Sequence, residues 1–402
     1  MKKKRDILFL CQFFYPEYIS SALLPFETAV ALKEEGFSVG ALCGYPVEYR
    51  SGEQVPLREQ VDGVDIRRVR YIQLSRAGFL GRLVNYFSFT FMVLLHLGEL
   101  ASSRCVVVYS NPPILPWIAS WAKALFGTKL VFVAYDLYPE VATVMGTLGK
   151  GNPITKLMEH INKVVFRRAD KIVALSGEMK DYIVHNRCTT EDRVAVIPNW
   201  YPEEEIQEPE ENPFRQAANG RFTVAYFGNM GTMQDMQTIL DAIRELKNDP
   251  DFFFLFAGHG NKMQALKKCV EEEGIDNIVI HDFLHGQTFK AALAASSAAL
   301  ISLEKGVTGL CVPSKTYCYM MQGLPLIAIM DECDIVRDVR AGAGVWVKNG
   351  EAGLLVQKLR AMRADPRSTA QMGAVSQELY REKYRRSGCT RQYIQLFRSM
   401  LD

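Results

Sequence analysis

At 402 residues the chain is too long for one typical domain and comfortable for two. It is 48% hydrophobic and 23% charged, enough to bury sizeable cores, and its net charge of +2 gives no case for nucleic-acid binding. Nine cysteines, without CxxC pairing and with Cys11, Cys43 and Cys105 inside apolar runs, suit a reducing cytoplasm.

The basic start, Met1 to Arg5, leads into a short apolar run that reads as a strand, Ile7–Phe13, and not as a signal peptide. A helix is predicted over Ser21–Glu35, stopped by Gly36, and the next strand over Val39–Cys43. Further strands are predicted at Val64–Val69, Val106–Tyr109, Leu130–Ala134, Ile172–Leu175 and Val194–Ile197. Helices are predicted at Ile114–Phe126, Ile154–Arg168 and Gly177–His185. The longest apolar stretch, Leu83–Leu97, contains His96 and falls short of the ~20 residues a spanning helix needs. Strands that are apolar throughout, alternating with helices, imply a parallel sheet covered on both faces.

Residues 201–214, with three prolines and six glutamates, read as an acidic linker. The alternation then restarts, with strands at Phe222–Phe227, Phe252–Ala257, Ile278–Ile280, Ala298–Ser302 and Leu326–Ile329. Helices follow at Met236–Lys247, Lys262–Glu273, Thr288–Ala295, Ser314–Gln322 and Ala352–Arg363. The expected fold is α/β: two Rossmann-like, doubly wound domains, 1–200 and 215–384, facing across a cleft. A C-terminal helix within 385–402 is expected to pack back on the first domain. In such folds ligands sit at the carboxyl ends of the strands.

Two glycine turns follow strands in the second domain. Gly228-Asn229-Met230-Gly231 and Gly258-His259-Gly260 let backbone approach a ligand, and either is also an ordinary tight turn. Pro313-Ser314-Lys315 opens a helix ended by Gly323. A lysine in a first turn opposes the helix dipole, so Lys315 marks either a bound anion or a solvated surface position. In the first domain, Asp136 and Glu140 lie just beyond a strand, where they face an acceptor or cap the next helix. Tyr15 and Glu17 lie at the corresponding rim after the first strand. Arg67, Arg68, Arg70, Arg76 and Arg82 precede the apolar stretch with no acidic residue after Arg67. They are candidates for a patch on an anionic membrane surface, the alternative being solvated arginines before a buried helix. The six histidines, read as isolated and without HxxxH or HEXXH spacing, predict no metal site.

Taken together these segments resemble bacterial family-4 glycosyltransferases, in particular the branch that makes O-antigen, capsule and exopolysaccharide. The likeness rests on Phe13-Phe-Tyr-Pro-Glu17, Asp136-Leu-Tyr-Pro-Glu140, Ala169–Met179, Val196–Trp200, Phe227–Gly231 and Pro313–Tyr317, in order and over nearly the whole chain. The resemblance implies a GT-B fold, acceptor binding in the first domain and nucleotide-sugar binding in the second. It also implies retention at the anomeric carbon, with no metal or other cofactor. On it, Gly228, Asn229, Gly231, Gly258, Gly260, Ser314, Lys315 and Cys318 hold the donor. Asp136 is the catalytic candidate, with Tyr15, Glu17 and Glu140 on the acceptor side.

The departures are specific. Thr232, Met233 and Gln234 stand where relatives carry an Arg and a Lys, and Leu310 and Cys318 replace two glutamates. The resemblance implies retaining transfer from a UDP- or GDP-sugar to a polyprenyl-linked or other glycan acceptor, in the cytoplasm or peripherally at the inner face of the plasma membrane, and the absent donor-clamp residues leave room for reduced activity. The alternative is a catalytically degenerate binding subunit of a glycan assembly complex.

Overall fold

The structure is a computed structural model that describes residues 5–46, 54–75, 79–149, 151–203, 206 and 208–402. It resolves into two compact units. The first comprises residues 1–199, 309–312 and 387–402, and the second comprises 200–308 and 313–386.

The first unit is built on β1 (Arg5–Cys11), β2 (Val39–Gly44), β3 (Arg58–Val61), β4 (Val64–Val69), β5 (Ser103–Tyr109), β6 (Lys129–Ala134), β7 (Lys171–Ala174) and β8 (Val194–Val196). Their order across the sheet is β3-β4-β2-β1-β5-β6-β7-β8, parallel except for the β3–β4 pair. The central strands are apolar because both faces are covered: Ile7 to Leu10 and Val106 to Val108 have no exposed surface. β3, one of two strands missing from the expected elements (the other is Gly344–Val347 of the second unit), is polar and half-exposed at the sheet edge. Its signal was the turn that follows, where Asp62 and Gly63 both take positive φ, as a two-residue hairpin requires.

The second unit carries β9 (Phe222–Asn229), β10 (Phe252–His259), β11 (Ile278–Asp282), β12 (Ala298–Ser302), β13 (Leu326–Ile329) and β14 (Gly344–Val347). The order is β11-β10-β9-β12-β13-β14, parallel throughout. Its core packs Tyr226, Phe254, Phe256 and Ile327 of the sheet against Ile243, Leu355 and Leu359 of the covering helices.

The acidic stretch is partly packed onto this unit. Asn212 caps the helix Pro213–Ala218, Arg215 pairs with Glu208, and Arg385 pairs with Glu203. The C-terminal helix Arg386–Leu401 lies in the first unit, where Arg104 and Lys129 donate to the carbonyls of Leu401 and Met400. Residues 309–312 also belong there: the Leu137 amide donates to Leu310 O at 2.8 Å, and Asp136 bridges Cys311. No helix among the described residues is long and apolar enough to cross a membrane.

Candidate active site

In the second unit the two glycine turns zip together at the carboxyl ends of β9 and β10, where Gly228 pairs in register with Gly258 and Asn229 with His259. The Met230 amide donates to His259 O at 2.6 Å, and the Lys262 amide returns a bond to Met230 O at 3.0 Å. Gly260 has φ +132°, and a Cβ there would lie 2.4 Å from the Met230 backbone. Gly260→Ala is therefore expected to destabilise the protein by about 1–2 kcal/mol, from strain and forced separation of the turns. A denaturant melt that matches wild type would show the turns to be independent.

Lys315 lies against this pair of turns. Its Nζ stands 3.5 Å above the centre of the Tyr226 ring and 3.4 Å from Asn229 O, which the Tyr226 hydroxyl also reaches at 2.9 Å. No carboxylate pairs with it among the described residues, and burial pushes its pKa well below the ordinary lysine value. The ring face offsets part of that desolvation. An anion arriving at the turn would offset the rest and restore the charge. Sequence reasoning missed two residues that fix this geometry, because both read as core. Tyr226 is the platform under Lys315, and the Tyr319 hydroxyl binds Phe227 N at 2.7 Å and ties the helix Lys315–Met321 to β9.

Several expectations change here. Ser314 stands at the helix N-cap position but its side chain makes no capping bond. Cys318 is buried, so its thiol is part of the packing of this helix. Lys262, just past the second turn, is already engaged with Gln234 O at 2.7 Å and Glu304 at 2.5 Å. Gln234 is turned inward and accepts from the Gly231 amide at 3.0 Å. His281 and His285 are four residues apart, so the histidines are not all isolated. They stand on the end of β11 and before the helix Gly286–Ala294, and no group of three His, Cys, Asp or Glu forms a metal-ligand set among the described residues.

In the first unit, the Ser110 hydroxyl accepts from the amides of Tyr135 and Asp136, each at 3.1 Å, and so fixes the turn after β6. Asp136, Tyr138, Asn162 and Phe166 line a cavity of about 10 Å³, room for roughly one water. Burial raises the Asp136 pKa from its ordinary value to about 6, and no basic group among the described residues opposes it.

The other acceptor-side candidates do not join it. Glu140 gives both oxygens to Arg187, at 2.7 and 2.5 Å, and Arg187 is held over the rings of Phe166 and Tyr182. That bidentate pair pins the turn, which makes Glu140 structural. Glu17 is buried and so not at an open rim, while Tyr15 packs its ring 4.8 Å from Phe26.

The arginine patch is also corrected. The Arg68 side chain has no exposed surface; it pairs with Glu59 at 2.5 Å and donates to Pro56 O and Tyr15 O. Arg67 is held by Glu99, which also binds Arg5. Arg70 and Arg82 are exposed, and Arg76 lies outside the described residues. What is exposed instead is apolar. On the helix Phe79–Leu94 and the turn after it, Leu80, Phe87, Phe91 and Leu95 are 72%, 56%, 59% and 63% exposed, in one stripe opposite the buried Asn85, Phe89 and Val93. Ile72 and Leu74 are also exposed, and Asn85 and Ser88 bond the backbone of those two residues.

Comparison with known proteins assigns both halves. Residues 26–200 match the family described as Glycosyl transferase 4-like domain, and residues 208–378 match Glycosyl transferases group 1. The chain belongs to this glycosyltransferase family. Among curated relatives it is 28% identical over 227 residues to the probable glycosyltransferase WbjE of Pseudomonas aeruginosa, 56% of each chain. It is 22% identical over 244 residues to the putative colanic acid biosynthesis glycosyl transferase WcaI of Escherichia coli K12, 55% of this chain and 59% of that one. The matches thus span little more than half the length of those relatives.

The fold is GT-B. Sucrose-phosphate synthase from Thermosynechococcus elongatus superposes with a TM-score of 0.76 at 14% identity, covering 98% of this chain and 99% of that one. HepE from Anabaena, solved in complex with UDP, superposes at 0.72 and 14%, covering 98% and 100%. WaaG, a glycosyltransferase involved in lipopolysaccharide biosynthesis, gives 0.70 at 12%, covering 97% and 99%.

Proposed function

We propose that the protein moves a sugar from a UDP- or GDP-sugar to a lipid-linked glycan during assembly of a cell-surface polysaccharide, with retention at the anomeric carbon. The observation that carries this reading is Lys315, a desolvated amine over an aromatic ring with no acidic partner among the described residues, aimed at two paired glycine turns. That combination suits a diphosphate leaving group, whose growing negative charge is stabilised as the glycosidic bond breaks. Lys315 and the turns at Gly228–Gly231 and Gly258–Gly260 take the phosphates without a metal ion, so turnover is expected to persist in EDTA. Asp136, with its pKa raised to about 6, serves the acceptor hydroxyl. HepE with UDP and WaaG in lipopolysaccharide synthesis support donor type and pathway class by similarity of fold. Proton NMR of the product tests the stereochemistry: an inverted anomeric coupling would refute retention.

A second reading has its own observation. Buried Cys318 offers no carboxylate for a ribose diol, as befits a binding subunit that holds a nucleotide or glycan without turning it over.

The lipid acceptor gives the exposed stripe on the helix Phe79–Leu94 an occupant, the inner leaflet itself. A run of Leu and Phe flanked by exposed Arg70 and Arg82 suits a shallow anchor in anionic headgroups. With Arg67 and Arg68 committed internally, apolar insertion outweighs charge. The double variant Phe87→Ser/Phe91→Ser is expected to lose at least tenfold in co-sedimentation with phosphatidylglycerol vesicles, while salt weakens wild-type binding only modestly. Binding that is unchanged in this variant would remove the stripe from the account.

A further inference from the structure

A second concavity lies in the second unit at the opposite end of the sheet from Lys315, where β9, β12 and β13 begin. Its volume is about 380 Å³, within the range of small-molecule sites, and donor recognition at the strand carboxyl ends leaves it unused. Two arginines and no carboxylates line it.

Arg221 is held rigidly. Nε and Nη2 donate to the carbonyls of Ala218 and Ala217 at 2.9 and 2.7 Å, and the guanidinium lies 4.6 Å over the Phe253 ring. This leaves its Nη1 edge uncommitted. Arg363 reaches Asp251 only at 3.4 Å through Nη2, and its Nε is buried with no hydrogen-bond acceptor. A buried donor left without an acceptor is costly, and an oxyanion between the two guanidinium groups would satisfy it with charge-assisted bonds. Leu324, Pro325 and Met362 supply apolar walls, so the cavity has room for an organic body beyond the anion itself.

We propose that this cavity is a second anion site that takes a small phosphate ester of the size of a sugar monophosphate, separate from the donor site. The Arg221 and Arg363 guanidinium groups hold its phosphate. The inference does not rest on the transferase reading, because it uses neither Lys315 nor the glycine turns.

The test is calorimetry on the full chain with glucose 6-phosphate, inorganic phosphate and glucose as probes. The ester is expected to bind saturably and more tightly than either fragment, in wild type and Lys315→Ala alike. Arg363→Gln should weaken it at least tenfold and Arg363→Lys less. Arg221→Gln gives a second reading of the same loss, with far-ultraviolet circular dichroism verifying that each variant is folded. Absence of ester binding would overturn the proposal. So would binding that survives Arg363→Gln and Arg221→Gln but vanishes in Lys315→Ala, which would place the anion at the glycine turns. Inorganic phosphate binding as tightly as the ester would overturn the assignment of an ester.

Discussion

Lys315→Ala is expected to weaken UDP or GDP binding by about 1.5–3 kcal/mol, roughly ten- to a hundredfold, while leaving the fold as stable as wild type or slightly more so. The two halves of the result have one cause. In the free protein the amine is desolvated over Tyr226, makes one long bond to Asn229 O and pairs with no acid among the described residues, so it contributes little to folding. A diphosphate at the turn converts it into a charge-assisted donor. The sign with pH follows. Because burial lowers the pKa of the free lysine and a bound anion raises it, binding takes up a proton between those two values. Nucleotide affinity should therefore fall as pH rises through that window, and Lys315→Ala should abolish the slope. Calorimetry in buffers of different ionisation enthalpy reads the proton directly. Equal affinities for both proteins would leave Lys315 a surface group and remove the donor site from the account.

Asp136→Asn is expected to stabilise the protein and cripple it together. Burial raises the folded pKa to about 6 against roughly 3.9 for a free aspartate. The folded state therefore disfavours the carboxylate. Its relative stability is fully present below about pH 4 and lost as pH rises to about 6, after which the cost is constant. Two units correspond to at most about 2.7 kcal/mol, and partial exposure reduces this to about 1–2 kcal/mol. At pH 7.5 the Asn variant should melt higher than wild type, and at pH 4 the two should coincide. If Asp136 serves the acceptor proton as proposed, its loss should lower kcat by about a hundredfold and erase the acid limb of the rate profile near pH 6. Higher stability with lower activity separates a functional role from simple damage. Wild-type kcat in the variant would make Asp136 a turn residue only.

Most of the fold was legible because the central strands are uninterrupted apolar runs between helices, as at Ile7 to Leu10 and Phe252 to Ala257. β3 was not, because an edge strand is polar and gains no signal from burial. The candidate site was legible only where chemistry clashed with local structure. Lys315 opposed its helix terminus, and the glycines followed strands. A residue whose partners are distant in sequence was misread. Arg68 looked available, but its role is set by Glu59 and Tyr15 O; for Glu140 the structural reading holds, through Arg187, 47 residues on. The residues of 67–82 read as a charged surface, yet Arg67 and Arg68 are committed to internal pairs, and beside exposed Arg70 and Arg82 the helix that follows bares a stripe of Leu and Phe. Helical periodicity gives that helix apolar residues on every side, and only packing decides which side is left uncovered.

The central claim is that a nucleotide-sugar is turned over at the Lys315 turn. The direct measurement is nucleotide release from a panel of UDP- and GDP-sugars, with and without a bacterial membrane-lipid extract as acceptor, for wild type and Lys315→Ala. The account predicts extract-dependent release from at least one donor, with a labelled lipid-linked product, and a loss of at least tenfold in Lys315→Ala at subsaturating donor. Nucleotide binding without release from any donor would contradict it and establish the binding-subunit reading instead.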